Sequence, residues 1–233
     1  MAVDQEDGQR LHLACSRELG QEVIDGVWPA GHARTLEEIS DRFDISRTVA
    51  REAAAQLEAV GLVLARRRWG LVAQPQSAWN YLNPLLIEWR LHSSQREDQL
   101  RALTQLRLVV EPEAAESAAR NADIHTRARL LPLAAEMRRT GEAGELEEFL
   151  QHDIEFHRLI LRSSGNELFA ALSELVATVL QGRTELGLMP AQPLPVALAG
   201  HEAVADAVFR GEPEQARAAM QAILNEVRGT IAG

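Results

Sequence analysis

Lysine is absent: all 24 basic residues among the 233 are arginine. That excludes Schiff-base catalysis on a lysine amine and the lysine-bearing phosphate loop of nucleotide hydrolases. Cysteine is nearly absent too. Cys15 stands alone, so the chain offers neither an intrachain disulfide nor a cysteine-ligated metal cluster, in keeping with a cytoplasmic setting. No run of 18 or more apolar residues occurs, and MAVDQEDGQR at the start is polar and acidic. The expectation is a protein with neither a secretion signal nor a membrane span.

What is present describes a folded protein. Hydrophobic residues make up 46% and charged residues 25%, which is globular composition, and the length suits one large domain or two modest ones. The net charge of −10 argues against general affinity for nucleic acid, but charge acts locally. Between Ser46 and Arg68, Arg47, Arg51, Arg66, Arg67 and Arg68 outnumber Glu52 and Glu58, a local charge of +3.

Residues 10–75 mix short helices with a β-ribbon. Apolar spacing predicts a helix over 11–26. WPAG makes a turn, and TLEEISDRF a short helix with Thr35 as N-cap and Glu38 at capping-box spacing. Ser46 caps a second helix that stops at Gly61, and LVLARRRWGLVAQ alternates around a basic tip as a hairpin does. Helix, short helix, turn, longer helix and hairpin is the order of a winged helix-turn-helix. In that motif the second helix meets the major groove by its N-terminal residues, here Ser46, Arg47, Thr48 and Arg51. Hydroxyls suit phosphates, arginine suits guanine, and the wing arginines around Arg67 reach the flanking backbone or minor groove.

PQSAW is the natural joint, which gives domains of 1–75 and 76–233. Beyond it the pattern is helical, over 79–92, 96–121, 123–140, 145–164, 166–188, 195–210 and 213–231, with breaks at HSSQ, RNAD, TGEAG, SSGN, GLMPAQPLP and RGEP. The fold class expected is mainly α: an N-terminal winged helix-turn-helix plus a C-terminal all-α antiparallel helical bundle. Within that bundle DIEFH places Asp153 and His157 four apart on one helix face. By itself that spacing fits part of a metal site, half of an acid–base pair, or a hydrogen-bonded pair. Asn166 after SSG reads as a helix cap, His12 and His152 as exposed or packing residues, and Trp79, Tyr81 and Trp89 as packing the domain joint or a dimer face.

The segment GVWPAG…EEISDRFDISRTVAREAAAQLEAVGLV…RRRWGLVAQ resembles the GntR superfamily of bacterial regulators. LRLVVEPEAAESAA, DIEFHRLILRSSGNELF and HEAVADAVFRGEPEQARAAM resemble the FCD effector domain of its FadR subfamily, and SAWNYLNPLLIEW with the stretch 153–169 is most similar to its galactonate-repressor branch. Together they cover nearly the whole chain. The resemblance implies DNA roles for Arg47, Thr48, Arg51 and the wing near Arg67, and a homodimer on double-stranded operator DNA. One departure is Glu37, where several relatives place an arginine that touches DNA; a carboxylate there repels phosphate.

Many members of the group hold a divalent metal by one Asp and three His. Asp153, His157 and His201 match three of these, but Ile223 stands at the fourth and cannot be a ligand. Galactonate-type repressors resemble this chain in that respect. An Asp–His₂ set with open positions suits Zn, Ni or a similar ion and accepts oxygen donors, so a sugar acid or other small carboxylate could chelate it. Arg107 and Arg183 are the residues expected to pair with that carboxylate. Arg107 and Glu111 also stand at the spacing of an ordinary ion pair worth about 0.3–0.5 kcal/mol. Direct contact of Asp153 and the histidines with an effector, without metal, is the variant that Ile223 leaves open. The function implied is a ligand-responsive transcriptional regulator, a repressor of a carboxylate catabolic operon. Its alternatives are a metal-responsive regulator and a two-His, one-carboxylate metalloenzyme, the latter without any acid–base or cofactor motif to support turnover.

Overall fold

The computed structural model describes residues 2–188 and 193–231, with side chains for 11–188 and 193–228. Its contacts form two compact units, Met1–Gln99 and Leu100–Gly233.

The first unit runs α1 (Ala2–Ile24), β1 (Ala33–Arg34), α2 (Leu36–Phe43), α3 (Arg47–Ala59), β2 (Val63–Arg66), β3 (Gly70–Ala73), a 3-10 turn (Gln76–Ala78) and α4 (Pro84–Leu91). The order is that of a winged helix-turn-helix. Thr35 Oγ1 accepts from the Glu38 amide at 3.1 Å while the Glu38 carboxylate accepts from the Thr35 amide at 2.6 Å, a complete capping box. Asp44 turns the chain in the left-handed region (φ 50°), and Ser46 caps α3 by accepting from the Val49 amide. Ile39, Ala50, Ala53 and Leu57 then close against Leu19 and Trp28 in one core. The hairpin pairs Val63 with Ala73 and Arg66 with Gly70. β1, too short to be seen in the sequence, adds to the other side of β3, giving the antiparallel order β1-β3-β2.

By its contacts the first unit extends past PQSAW to Gln99. The segment 76–99 stays with the first unit because its tryptophans belong to that core. Trp79 and Trp89 are both buried there, so they do not mark a joint, while Tyr81 is 41% exposed beside Trp79. A Cβ on Gly20 of α1 would lie 2.4 Å from the Trp89 ring, so a glycine is what lets α4 approach. Gly61 has φ +78° and its missing Cβ would meet the Ala78 carbonyl at 2.4 Å, which fixes the turn out of α3. The expected helix over 79–92 starts later, at Pro84, because Asn83 caps it and proline takes its first position.

The elements described in the second unit are all α-helices, the first of which begins just before the division: α5 (Arg96–Asn121), α6 (Ile124–Ala128), α7 (Leu130–Ala143), α8 (Leu146–Ser163), α9 (Glu167–Ala171), α10 (Ser173–Glu185), α11 (Pro195–Arg210) and α12 (Pro213–Ile231). Two expected helices are each divided, at Arg129 and at Leu172; Pro132, in the first turn of α7, cannot bond back to the Ala128 carbonyl and marks the first bend, while no glycine or proline stands at the second. Residues 189–192 of the GLMPAQPLP break lie outside the described residues. α8 packs on α7 and α10, and α11 on α7 and α12. α7 thus lies between the two helices that carry Asp153, His157 and His201.

Candidate functional site

Asp153 and His157 project from α8 and His201 from α11, all three buried. His157 Nε2 and His201 Nε2 each lie 3.3 Å from Asp153 Oδ1, and the three donor atoms fall within 4.8 Å of one another. The other ring nitrogens are engaged behind them. His201 Nδ1 lies 2.8 Å from the Ala197 carbonyl, to which it can only donate, so in the neutral ring Nε2 carries the lone pair. His157 Nδ1 lies 2.5 Å from Glu111 Oε2, a charge contact without hydrogen-bond alignment, and the carboxylate beside it favours the proton on Nδ1 and the lone pair on Nε2. Two imidazole lone pairs and a carboxylate oxygen therefore point into one space. Asp153 Oδ1 and His201 Nε2 are buried without a hydrogen-bond partner. Facing acceptors need a proton or a cation between them, and this donor set fits a divalent cation such as Zn²⁺.

The electrostatics agree. Burial raises the Asp153 carboxyl, but His157 and His201 outweigh it and hold it far below the usual range. Burial depresses His157, but Glu111 and Asp153 outweigh that and push it up to about 9. Without a cation His157 is therefore protonated at neutral pH, with its second N–H toward Asp153. Glu111 is held at about 2, burial being overcome by Arg107 and His157. Phe156 lies edge-on to both imidazoles, with centroids 5.8 Å from His157 and 5.3 Å from His201.

Asp153, His157 and His201 open into a cavity of about 640 Å³ including its mouth, also lined by Arg107, Arg183, Ile223 and Glu226. The structure thus brings every residue expected at the metal and effector site to one place. Their situations differ. Arg107 is buried and forked onto Glu111 through Nε and Nη2, so much of its charge is already answered. Arg183 is 5% exposed, has no ion-pair partner among the described residues, and leaves Nε without a hydrogen bond. Burial, then the neighbouring Arg107, lowers its pKa to about 10. Ile223, at the position where a fourth ligand is lacking, is an apolar part of the wall.

Glu111 and Glu226 are the residues that sequence reasoning missed. Glu111 was visible only as a partner for Arg107; that it also orients His157, an i,i+46 relationship between α5 and α8, has no local signal. Glu226 stands one turn beyond Ile223 on α12, and that spacing could have marked it.

On the first unit, Ser46, Arg47, Thr48 and Arg51 are all exposed along the start of α3, and Arg66, Arg67 and Arg68 are exposed at the hairpin tip. Ser46 Oγ accepts the Val49 amide but keeps its proton to donate. Glu37 does not stand alone as a repelling charge: its carboxylate lies 3.6 Å from the Arg47 guanidinium.

Residues 13–72 match the bacterial regulatory proteins of the gntR family, and residues 102–226 match the FCD domain. The HTH-type transcriptional regulator YieP of Escherichia coli K12, described as uncharacterized, is 29% identical over 93% of both chains. The galactonate operon transcriptional repressor of the same organism is 27% identical over 90% of this chain and 92% of its own. The solved structure of E. coli McbR/YncC matches with a TM-score of 0.54 at 16% identity, over 95% of this chain and 97% of that one, a likeness of fold. The FCD match alone spans more than half of the sequence, and the DNA-binding match precedes it in order: the chain belongs to the GntR family of bacterial transcriptional regulators with an FCD domain, and is a regulator, not an enzyme.

Proposed function

We propose that this regulator is a repressor whose homodimer holds a palindromic operator in the cytoplasm through Ser46, Arg47, Thr48, Arg51 and the wing around Arg67, and responds to a small carboxylate, a sugar acid or a related compound, bound at a metal centre of Asp153, His157 and His201. The observation that carries the effector reading is the pairing of two deficits in one cavity. Asp153 Oδ1 and His201 Nε2, buried and without a hydrogen-bond partner, share a cavity with Arg183, a buried guanidinium whose Nε is likewise unbonded and which forms no ion pair among the described residues. A bound divalent ion supplies a Lewis-acidic centre with open positions for oxygen donors. Arg183 takes the carboxylate, Glu111 and the Ala197 carbonyl hold the imidazoles in register, and Arg107 keeps Glu111 ionised. Among relatives, the galactonate repressor is named for control of an operon of a carboxylic acid, which supports a carboxylate effector. The ligand acts on DNA only to the extent that it binds the two states of the dimer with different affinity.

The test is a set of melting curves on chelator-treated protein, with and without Zn²⁺, against a panel of carboxylates, followed by operator binding with each stabilising acid. A ligand at about 100 times its Kd stabilises the fold by about 2.7 kcal/mol. The proposal expects an acid whose shift needs the metal and whose presence weakens operator binding. A shift that ignores added metal removes the metal centre from it. Operator binding that changes with metal alone replaces it with a metal-responsive regulator.

A further inference from the structure

The carboxylate reading above leaves the rest of the effector open, and the cavity wall narrows it. We infer that the effector is a monocarboxylate with an apolar body, not a polyhydroxylated acid; this rests on the carboxylate reading and chooses within it.

The cavity has two unlike parts. One is charged: Arg107, Asp153, His157, Arg183 and His201 converge there. Arg183 is the group in it with an unmet need, and a planar carboxylate meets that need with two parallel hydrogen bonds. The other part is hydrocarbon, formed by Phe149, Leu180, Leu188, Leu194, Ile223 and Val227. Among the described lining residues of that part no side chain can donate to or accept from a hydroxyl.

Desolvation decides between the candidates. A hydroxyl carried into this wall loses water and finds no partner, which weakens binding by about fivefold or more for each one left unpaired. A methylene in the same place strengthens it by about fourfold. Ile223 sharpens the contrast, because it brings a branched hydrocarbon to the cavity, and Gly200 on α11 accommodates it there: a Cβ on Gly200 would lie 2.7 Å from Ile223 Cγ1. The same wall sets the second limit. Glu226, one turn beyond Ile223, belongs with the charged part, within electrostatic reach of Arg183 and His201. The second carboxylate of a diacid would fall in the hydrocarbon part, where it loses water and meets no cation among the described lining residues.

The experiment compares acids of one carbon length on the full chain by calorimetric titration with Zn²⁺ present: 2-hydroxyhexanoate, gluconate and adipate. The expected result is that 2-hydroxyhexanoate binds about tenfold or more tighter than either of the others. Arg183→Met should abolish that binding without lowering the melting temperature, since the charge it removes is buried and forms no ion pair among the described residues. Ile223→Thr, close in shape, should narrow the preference over gluconate. Gluconate or adipate binding as tightly as 2-hydroxyhexanoate overturns the inference and leaves the carboxylate reading standing. No binding by any of the three overturns both.

Discussion

The carboxylate of Glu37 lies 3.6 Å from the guanidinium of Arg47, across the turn that joins α2 to α3. Both side chains are more than two-thirds exposed, so the pair contributes little to stability. Its effect falls on DNA, because Arg47 at the head of α3 must leave Glu37 to engage phosphate or base. Glu37→Gln should therefore tighten binding to duplex DNA of any sequence and steepen its salt dependence by about one unit of slope. Affinity measured across a salt series tests this; an unchanged slope would mean that Arg47 does not engage phosphate.

Glu111 is buried between Arg107 and His157 and orients a proposed ligand without being one. Glu111→Gln should weaken the affinity for Zn²⁺ by about 10- to 100-fold. It also unpairs Arg107, a loss of about 3–5 kcal/mol in stability. The two effects separate by readout: titration with the ion reports the first and chemical denaturation of the ion-free protein the second. Equal ion affinity in variant and wild type would reduce Glu111 to a structural partner of Arg107.

The ion-free protein should lose stability as the pH rises. His157 has its pKa raised from 6.5 to about 9 in the fold, so between these values the native state holds a proton that the unfolded chain has released. The stabilisation is complete below about pH 6.5 and disappears as the pH passes 9. The melting temperature of chelator-treated protein should fall across that window, and His157→Gln should flatten this component of the profile. A cation must displace the same proton, so the affinity for Zn²⁺ should rise with pH over the same range.

Gly20→Ala sets two effects against each other. Alanine in a helix interior gains about 1 kcal/mol over glycine. Its Cβ, however, would lie 2.4 Å from the Trp89 ring, and Trp89, 2% exposed, has little room to withdraw. Overpacking costs about 1–3 kcal/mol, so the variant should be less stable, with the loss confined to the first unit. A denaturation series that follows tryptophan fluorescence measures it.

How much of this was legible in the sequence depends on the range of the interaction. The capping box of Thr35 and Glu38, the Ser46 cap and the shared face of Asp153 and His157 are local, and spacing alone reveals them. Pro132 could have marked the bend at Arg129, whereas the run around Leu172 is helical in composition throughout and carries no local signal. PQSAW has the composition of a linker, while a contact that ties 76–99 to the first unit, Trp89 on Gly20, spans nearly 70 residues and has no local signal. Glu37 and Arg47 lie ten apart and on different helices, so the sequence offered only the charge of Glu37 and not its partner. His201 was placed by resemblance, since nothing local ties it to Asp153. The double duty of Glu111 was visible to neither approach.

Phe156 has a consequence for any ligand of this site. Its ring stands edge-on to His157 at 77° and to His201 at 78°, and the two imidazoles are themselves 89° apart. With Phe156 wholly buried, neither imidazole can swing without displacing a packed benzene ring. The rotational freedom of both is therefore surrendered when the chain folds, and an arriving ion or acid meets a preorganised socket. Little reorganisation then stands against its binding energy, and a misfit in radius cannot be absorbed by side-chain adjustment. Trimming Phe156 to leucine would give the imidazoles back their motion, exchanging selectivity among ions for tolerance of them.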